Sequence, residues 1–134
     1  MKKKVLLVDD EKSFTNLLKL NLEQTGRYDV HVENWAEDAY PAAKRFKPDI
    51  VLLDIIMPRM PGGNVVAQIQ NDPELQDTPI VFLTAAVQRS RVEENDGIIS
   101  GLPCLAKPAS IEEIVQMIET HARGGAAAGE TLAS

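Results

Sequence analysis

The chain has 134 residues, which is room for one domain with short ends, and a hydrophobic fraction of 44%, which is enough to form a core without a disulfide or a structural metal. Its net charge of −6 and its six aromatic residues (one Trp, two Tyr and three Phe) argue against direct nucleic-acid binding. The lone Cys104 and the short apolar run near Met1 fit a cytoplasmic protein with no disulfide and no membrane insertion.

Four short apolar runs each stop at, or just before, a polar residue. Because they do not alternate with polar residues, they are typical of strands buried on both faces of a parallel sheet. In chain order they are Val5–Val8, Ile50–Leu53, Ile80–Leu83 and Leu102–Leu105. Asp29–Glu33 alternates more and suits a strand near one edge. Pro103 lacks an N–H, so we place its strand at the other edge.

Apolar residues at helical spacing predict two helices in the first third of the chain. The stripe of the first helix consists of Phe14, Leu17, Leu18 and Leu22. Gly26 is a plausible C-cap for it. The second helix has an alanine-rich stripe from position 36 to position 43, and we expect a capping box of Asn34 and Glu37 at its start. Pro41 predicts a kink or a later start of this helix.

Three further helices are predicted in the rest of the chain. The first of them carries Val65, Val66 and Ile69 and ends before Pro73. Residues 87–96 are weakly periodic and are assigned to the next helix. The last helix follows a capping box of Ser110 and Glu113. Its stripe consists of Ile111, Ile114, Val115 and Ile118.

Strands that alternate with helices predict an α/β fold. We expect a doubly wound, flavodoxin-like parallel sheet of five strands in the order 2-1-3-4-5, with five helices. Residues 1–123 would form this domain. The Gly- and Ala-rich residues 124–134 would be a flexible tail or the start of a linker.

Polar residues collect at the carboxyl ends of the predicted strands. Asp9 and Asp10 follow the first strand and Asp54 follows the third, and these two strands flank the point where the strand order switches. Three carboxylates crowded together repel one another unless a cation compensates their charge, and oxygen ligands suit Mg²⁺. Thr84 and Lys107 end the other two strands. With a metal ion present, Asp54 could act as an in-line nucleophile toward a phosphoryl group whose charge Lys107 would balance.

Each of these residues, taken alone, is more often a turn residue, a helix cap or a solvated charge. The combination changes that balance, because four polar residues of complementary types stand at the same end of four different strands. In order, the pieces are Val8-Asp9-Asp10-Glu11, the stretch from Asp54 through Met57-Pro58 to Gly62, Thr84-Ala85 and Lys107-Pro108. With these motifs the sequence resembles the receiver domain of two-component response regulators, from about Lys3 to His121.

The resemblance implies that Asp54 accepts phosphate from the phosphohistidine of a histidine kinase or phosphotransfer protein, so that the domain catalyses only its own phosphorylation and dephosphorylation. Mg²⁺ would be held by Asp10, Asp54 and the backbone carbonyl of Ile56, with Asp9 acting through water. Lys107 would pair with the phosphate, Thr84 would move toward it, and the peptide before Pro108 is often cis in this family.

Partners also follow from the resemblance. They are an unknown downstream protein and a second copy of the chain, bound through the face of the fourth helix, fifth strand and fifth helix. Two positions depart from the family pattern. The family usually has Tyr or Phe where this chain has Cys104, and the positions that often tune hydrolysis are Ile56 and Ala86. We expect Cys104 to be a buried core residue and Trp35 to pack at a helix entrance.

Three other functions compete with a phosphorylation switch. Cys104 at the switch position favours a receiver-like interaction module that signals without phosphate. A haloacid-dehalogenase-type phosphatase also uses an Asp nucleophile, but it normally needs a second acid where this chain has Ile56, and a cap domain. A dinucleotide-binding domain lacks its glycine motif after Val8.

Overall fold

A computed structural model describes residues 2–85, 98–99 and 101–122 of the chain. The helix predicted at 87–96 and the tail predicted at 124–134 lie outside the described residues. Within the described part, no helix combines the length and the apolar character needed to cross a membrane.

The strands form one sheet whose order is β2-β1-β3-β4-β6-β5. Their bounds are Lys3–Val8 (β1), Tyr28–Glu33 (β2), Ile50–Leu53 (β3), Ile80–Thr84 (β4), Ile98–Ile99 (β5) and Leu102–Ala106 (β6). Every neighbouring pair from β2 to β6 is parallel. The predicted order of the five parallel strands and the flavodoxin-like fold are therefore confirmed.

The sixth strand, β5, was not predicted. It has two residues, Ile98 and Ile99, which pair antiparallel with Pro103 and Leu102 of β6. Consequently β6 is the last of the parallel strands but not the outermost strand of the sheet. A two-residue segment is too short to give a periodic sequence signal, which explains the omission.

Four α-helices lie within the described residues. They are Lys12–Gln24 (α1), Ala39–Phe46 (α2), Gly62–Gln70 (α3) and Ile111–His121 (α4). A single 3₁₀ turn, Ala36–Asp38, precedes α2. The delayed start of α2 agrees with the effect predicted for Pro41, which stands in the first turn of the helix where its missing N–H is tolerated.

The two predicted capping boxes had opposite outcomes. At α4 the Ser110 hydroxyl accepts from the Glu113 N–H and the Glu113 carboxylate accepts from the Ser110 N–H, as predicted. The box at Asn34 and Glu37 is wrong, since neither α2 nor the 3₁₀ turn has a side-chain cap. The Asn34 amide instead donates to the Asp9 carbonyl, at 2.8 Å, and to the Thr15 hydroxyl, at 3.0 Å, because the fold brings these two acceptors within its reach.

Helices cover both faces of the sheet. Successive residues of β1 alternate between two buried clusters: Val5 and Leu7 pack with α1 and α4, whereas Leu6 and Val8 pack with α2 and α3. This explains why the strand sequences are continuously apolar, since both faces of each strand are removed from water. All four strand-end positions are thereby carried to one edge of the molecule.

Asp72 is a buried carboxylate in the connection between α3 and β4. One of its oxygens accepts from the Tyr40 hydroxyl at 2.5 Å and lies 2.9 Å from the Lys44 ammonium. The other oxygen accepts from the Glu74 N–H at 2.8 Å. The hydrogen bond from Tyr40, followed by those from Lys44 and Glu74, lowers the pKa of Asp72 to about 2. The ionised form of Asp72 therefore ties α2 to the loop that follows α3.

The lowered pKa of Asp72 predicts a pH-dependent contribution to stability. The folded-state pKa of about 2 lies below the ordinary value of 3.8, so the contribution is complete above that ordinary value and is lost as the pH falls toward 2. We expect Asp72→Asn to lower the free energy of unfolding at pH 7, with a deficit that shrinks as the pH is lowered to 3. Urea unfolding across this range measures the effect. Asp29→Asn, at an exposed position of β2, is the control, and equal pH profiles of the two variants would contradict the assignment.

Candidate functional site

Three carboxylates meet beyond the ends of β1 and β3. The main chain continues the sheet past both strands, since the Asp54 N–H donates to the Val8 carbonyl at 3.0 Å and the Asp9 N–H donates to the Glu33 carbonyl at 3.1 Å. Each carboxylate, including that of the exposed Asp10, offers an oxygen within 4.8 Å of the other two. The structure thus brings together the three acids that the sequence singled out.

Two of the three acids are almost removed from solvent. Asp9 is 1% exposed and Asp54 is 8% exposed. Burial raises the pKa of Asp9, and this outweighs the hydrogen bonds that its carboxylate accepts from Lys107 and from the Glu11 N–H. A buried carboxylate without full compensation favours any cation that can reach it.

Lys107 supplies a cation at this site. It follows β6, and its ammonium donates to Asp9 and lies 3.9 Å from an oxygen of Asp54 and 3.3 Å from one of Glu11. It also lies 4.2 Å from the centre of the Phe14 ring, within the range of a cation–π contact. Burial alone would lower the pKa of Lys107, but the hydrogen bond to Asp9 and the neighbouring negative charges raise it. The lysine is therefore held in its charged form.

The donor set fits a hard divalent cation. Three carboxylates against one ammonium leave the cluster negative, and all of its candidate ligand atoms are oxygens. Mg²⁺ prefers oxygen ligands of this kind, and the exposed Asp10 leaves one side of the cluster in contact with solvent. The residues present are thus compatible with magnesium.

The loop after Asp54 is packed closely against the site by a glycine. A Cβ at Gly62 would stand 2.5 Å from the Asp54 carbonyl oxygen and 2.9 Å from the Cα of Ile55. The Gly62 N–H donates to the Ile55 carbonyl at 2.7 Å, so the close approach is also a hydrogen bond. Any larger residue at position 62 would push the loop away from Asp54.

The remaining predicted site residues lie at the same edge of the sheet. Thr84 is the last residue of β4, and it pairs with Ala106 of β6, directly before Lys107. The Ile56 N–H lies 3.4 Å from a carboxylate oxygen of Asp54, and the Ile56 residue is 66% exposed. The peptide between Lys107 and Pro108 is cis, as expected.

Cys104 lies in the core, as predicted. It is buried in β6 opposite Phe82 of β4, and burial raises the pKa of its thiol. A protonated thiol in apolar surroundings behaves as a small hydrophobic residue and not as a nucleophile.

Sequence reasoning missed several residues around the acids. Phe14 was assigned to the apolar stripe of α1, yet its ring lies beneath the Lys107 ammonium. Trp35 was expected to pack at a helix entrance, but it is 42% exposed and the Arg59 guanidinium lies over its ring. Helical spacing cannot distinguish a core aromatic from one that receives a cation. The acidic segment after Val8 and the lone Arg59 in an otherwise uncharged loop were the available signals.

Known proteins are similar to this chain in sequence. A curated relative, the alkaline phosphatase synthesis transcriptional regulatory protein PhoP of Bacillus subtilis (strain 168), is 41% identical over 85 residues. These are 63% of this chain and 34% of that protein, so the match spans about a third of the relative's length.

Solved structures extend the similarity over most of the chain. The chemotaxis protein CheY4 of Vibrio cholerae matches with a TM-score of 0.74 and 25% identity, over 88% of this chain and 97% of that one. The Francisella response regulator 1452 receiver domain matches with a TM-score of 0.72 and 25% identity, over 87% of this chain and 93% of that one. The N-terminal domain of a response regulator receiver protein from Methanoculleus marisnigri JR1 matches with a TM-score of 0.65 and 29% identity. The match covers 87% of this chain and 93% of that one.

A sequence model of the response regulator receiver domain family also matches this chain. It matches residues 5–119, from within β1 to within α4, and so includes all the strand ends described above. The chain belongs to the response regulator receiver domain family.

Proposed function

We propose that the chain is the phosphoacceptor of a two-component or phosphorelay system and that Asp54 receives the phosphoryl group. The observation that carries the proposal is the position of the Asp54 carboxylate. It is almost buried, it shares its cluster with Asp9 and Asp10, and a lysine ammonium lies 3.9 Å away. An incoming phosphoryl group would meet a nucleophile, a cation and metal-binding acids in one small volume.

In the proposed reaction a carboxylate oxygen of Asp54 attacks phosphorus in line with the leaving group. When the donor is a phosphohistidine, the P–N bond breaks as the O–P bond of an acyl phosphate forms, and the imidazole leaves with the electron pair of the broken bond. Lys107 balances charge on the phosphoryl oxygens, and the Thr84 hydroxyl donates to one of them. Hydrolysis of the acyl phosphate resets the domain.

Asp9, Asp10, Asp54 and the backbone carbonyl of Ile56 would hold Mg²⁺ at this site. When bound, the metal supplies positive charge next to the oxygens of the transferred group. Before any ligand arrives, Lys107 compensates part of the charge of Asp9, which keeps the acids close together without metal.

The proposed output is a change of protein-binding surface. Receiver domains are not enzymes in the ordinary sense, and here catalysis would be limited to modification and hydrolysis at Asp54. The upstream partner would be a histidine kinase or phosphotransfer protein in the cytoplasm. The downstream partner would be a protein or a second copy of the chain, bound through the face that includes β6, α4 and the helix predicted at 87–96.

One observation favours a second function, a receiver-like module that signals without phosphate. The family's aromatic switch position is occupied by Cys104, which is 2% exposed and has no ring to rotate. Under this alternative, Asp54 could still be modified, but the backbone amides of β6 would not respond.

Phosphorylation with a small donor tests the acceptor. With Mg²⁺ and acetyl phosphate, wild type should gain one phosphoryl group in an intact-mass spectrum, and Asp54→Asn should gain none because its amide is not a nucleophile. Asp29→Asn, at an exposed position, should be labelled like wild type. Labelling of Asp54→Asn to the wild-type extent would rule out the assignment.

Replacement of Lys107 tests its role as the resident cation. Without its ammonium the buried Asp9 keeps an uncompensated charge, so Lys107→Met should destabilise the metal-free protein by about 3 kcal/mol and slow labelling by acetyl phosphate about 100-fold. Mg²⁺ should raise the melting temperature of this variant more than that of wild type, because the metal replaces part of the missing charge.

Thermal unfolding in EDTA and in Mg²⁺ measures the difference. Lys2→Met, at an exposed lysine, is the control and should respond to Mg²⁺ like wild type. An equal Mg²⁺-induced shift in Lys107→Met and wild type would contradict the role of Lys107.

A further inference from the structure

Arg59 occupies an unusual position in the loop between Asp54 and α3. Its φ is +73°, in the left-handed region that residues other than glycine rarely adopt. The Met60 N–H donates to the Pro58 carbonyl at 2.8 Å across it, which closes a three-residue turn with Arg59 at its centre. Turns of this kind with a positive central φ are rare and strained, so something else must hold the loop in place.

The side chain of Arg59 spans to the segment that follows β2. Its guanidinium donates to the Glu37 carboxylate at 2.9 Å and lies 4.8 Å from the centre of the Trp35 ring. The hydrogen bond from Arg59, more than any other contact, lowers the pKa of Glu37. We call these three residues, Trp35, Glu37 and Arg59, the clasp. The clasp joins the segment after β2 to the loop after β3, two strands that lie on either side of β1 in the sheet.

An exposed ion pair alone contributes little, and Arg59 is 65% exposed at its side chain. The clasp combines that pair with a cation–π contact, since the guanidinium also lies over the Trp35 ring at 4.8 Å from its centre. The main chain at Arg59 must take the strained turn to present it. The contact and the strain therefore depend on each other.

The clasp lies where it can fix the main chain next to Asp54. The loop from Ile55 to Pro61 is anchored at its end by Gly62, which packs on the Asp54 carbonyl. The clasp anchors the middle of the same loop through Arg59. Ile56, whose carbonyl is the proposed metal ligand, stands between Asp54 and these two anchors.

We infer that Arg59 is a positioning residue for the metal site: the clasp holds the loop in the conformation that presents the Ile56 carbonyl beside Asp54. The inference shares one assumption with the proposed function, namely the residues that would bind Mg²⁺. A loop that is fixed beforehand binds its ion more tightly, because a smaller fraction of molecules must change conformation on binding.

Arg59→Gly separates positioning from stability. Glycine relieves the strained φ and removes the clasp, so urea unfolding of the metal-free variant should show a stability equal to or above that of wild type. Its dissociation constant for Mg²⁺ should nevertheless rise about two- to fivefold. The titration follows the amide signal of Gly62 by NMR, without any phosphoryl donor. Arg59→Lys, which keeps the charge but loses the guanidinium, should have a dissociation constant between those of wild type and Arg59→Gly.

Lys47→Gly is the matched control. Lys47 also has a positive φ, +52°, but it ends α2 and contacts Glu74, away from the acids. The Lys47→Gly variant should likewise gain stability because glycine relieves the positive φ, and it should bind Mg²⁺ like wild type. Trp35 is the single tryptophan, so its near-ultraviolet circular dichroism reports the clasp directly and should weaken in Arg59→Gly alone.

The results of the Mg²⁺ titration can be distinguished from those of the Asp54 labelling experiment. Wild-type Mg²⁺ affinity in Arg59→Gly, an equal loss in Lys47→Gly, or an unchanged Trp35 signal would each overturn the positioning role. If wild type does not bind Mg²⁺, the metal site and this inference fail together. If Mg²⁺ binds as expected but Asp54 is not labelled, the proposed function fails while the role of Arg59 stands.

Discussion

Repulsion among three carboxylates at the end of β1 and β3 is the constraint on which the site depends. Asp9, Asp10 and Asp54 each place a carboxylate oxygen within 4.8 Å of the other two, and two of these residues are nearly buried. Close packing of the sheet carries them there, because β1 and β3 are hydrogen-bonded neighbours whose side chains fill both cores. The fold therefore concentrates negative charge that a single lysine only partly balances. Such a cluster is suited to a divalent cation, which would compensate the remaining charge.

Much of this could be predicted from sequence. Strands buried on both faces give continuous apolar runs, and the residue after each run falls at the same edge of a parallel sheet. That rule alone predicts that Asp9, Asp54 and Lys107 lie close together. The capping box of α4 was equally predictable, because Ser110 and Glu113 lie three residues apart and need no distant partner.

The features that escaped prediction depend on contacts between distant residues. Asn34 is a residue type that often caps helices, and it stands three residues before Glu37. Its amide nevertheless donates to Asp9 and Thr15, which come close to Asn34 only in the folded chain. The clasp likewise joins Arg59 to Glu37 across 22 positions. Leu17 belongs to the apolar stripe of α1 yet is exposed, since the stripe is wider than the surface that covers it. Local patterns identify candidate residues, whereas packing selects their partners.

The two residues of β5 have a consequence for how the molecule meets its neighbours. The open edge of a sheet exposes N–H and C=O groups on which a strand from another molecule can be added. Ile98 and Ile99 occupy that side of β6, and Pro103 contributes no N–H there. The chain thereby covers its own edge at the start of β6, which disfavours addition of a strand from another molecule at Leu102 and Pro103.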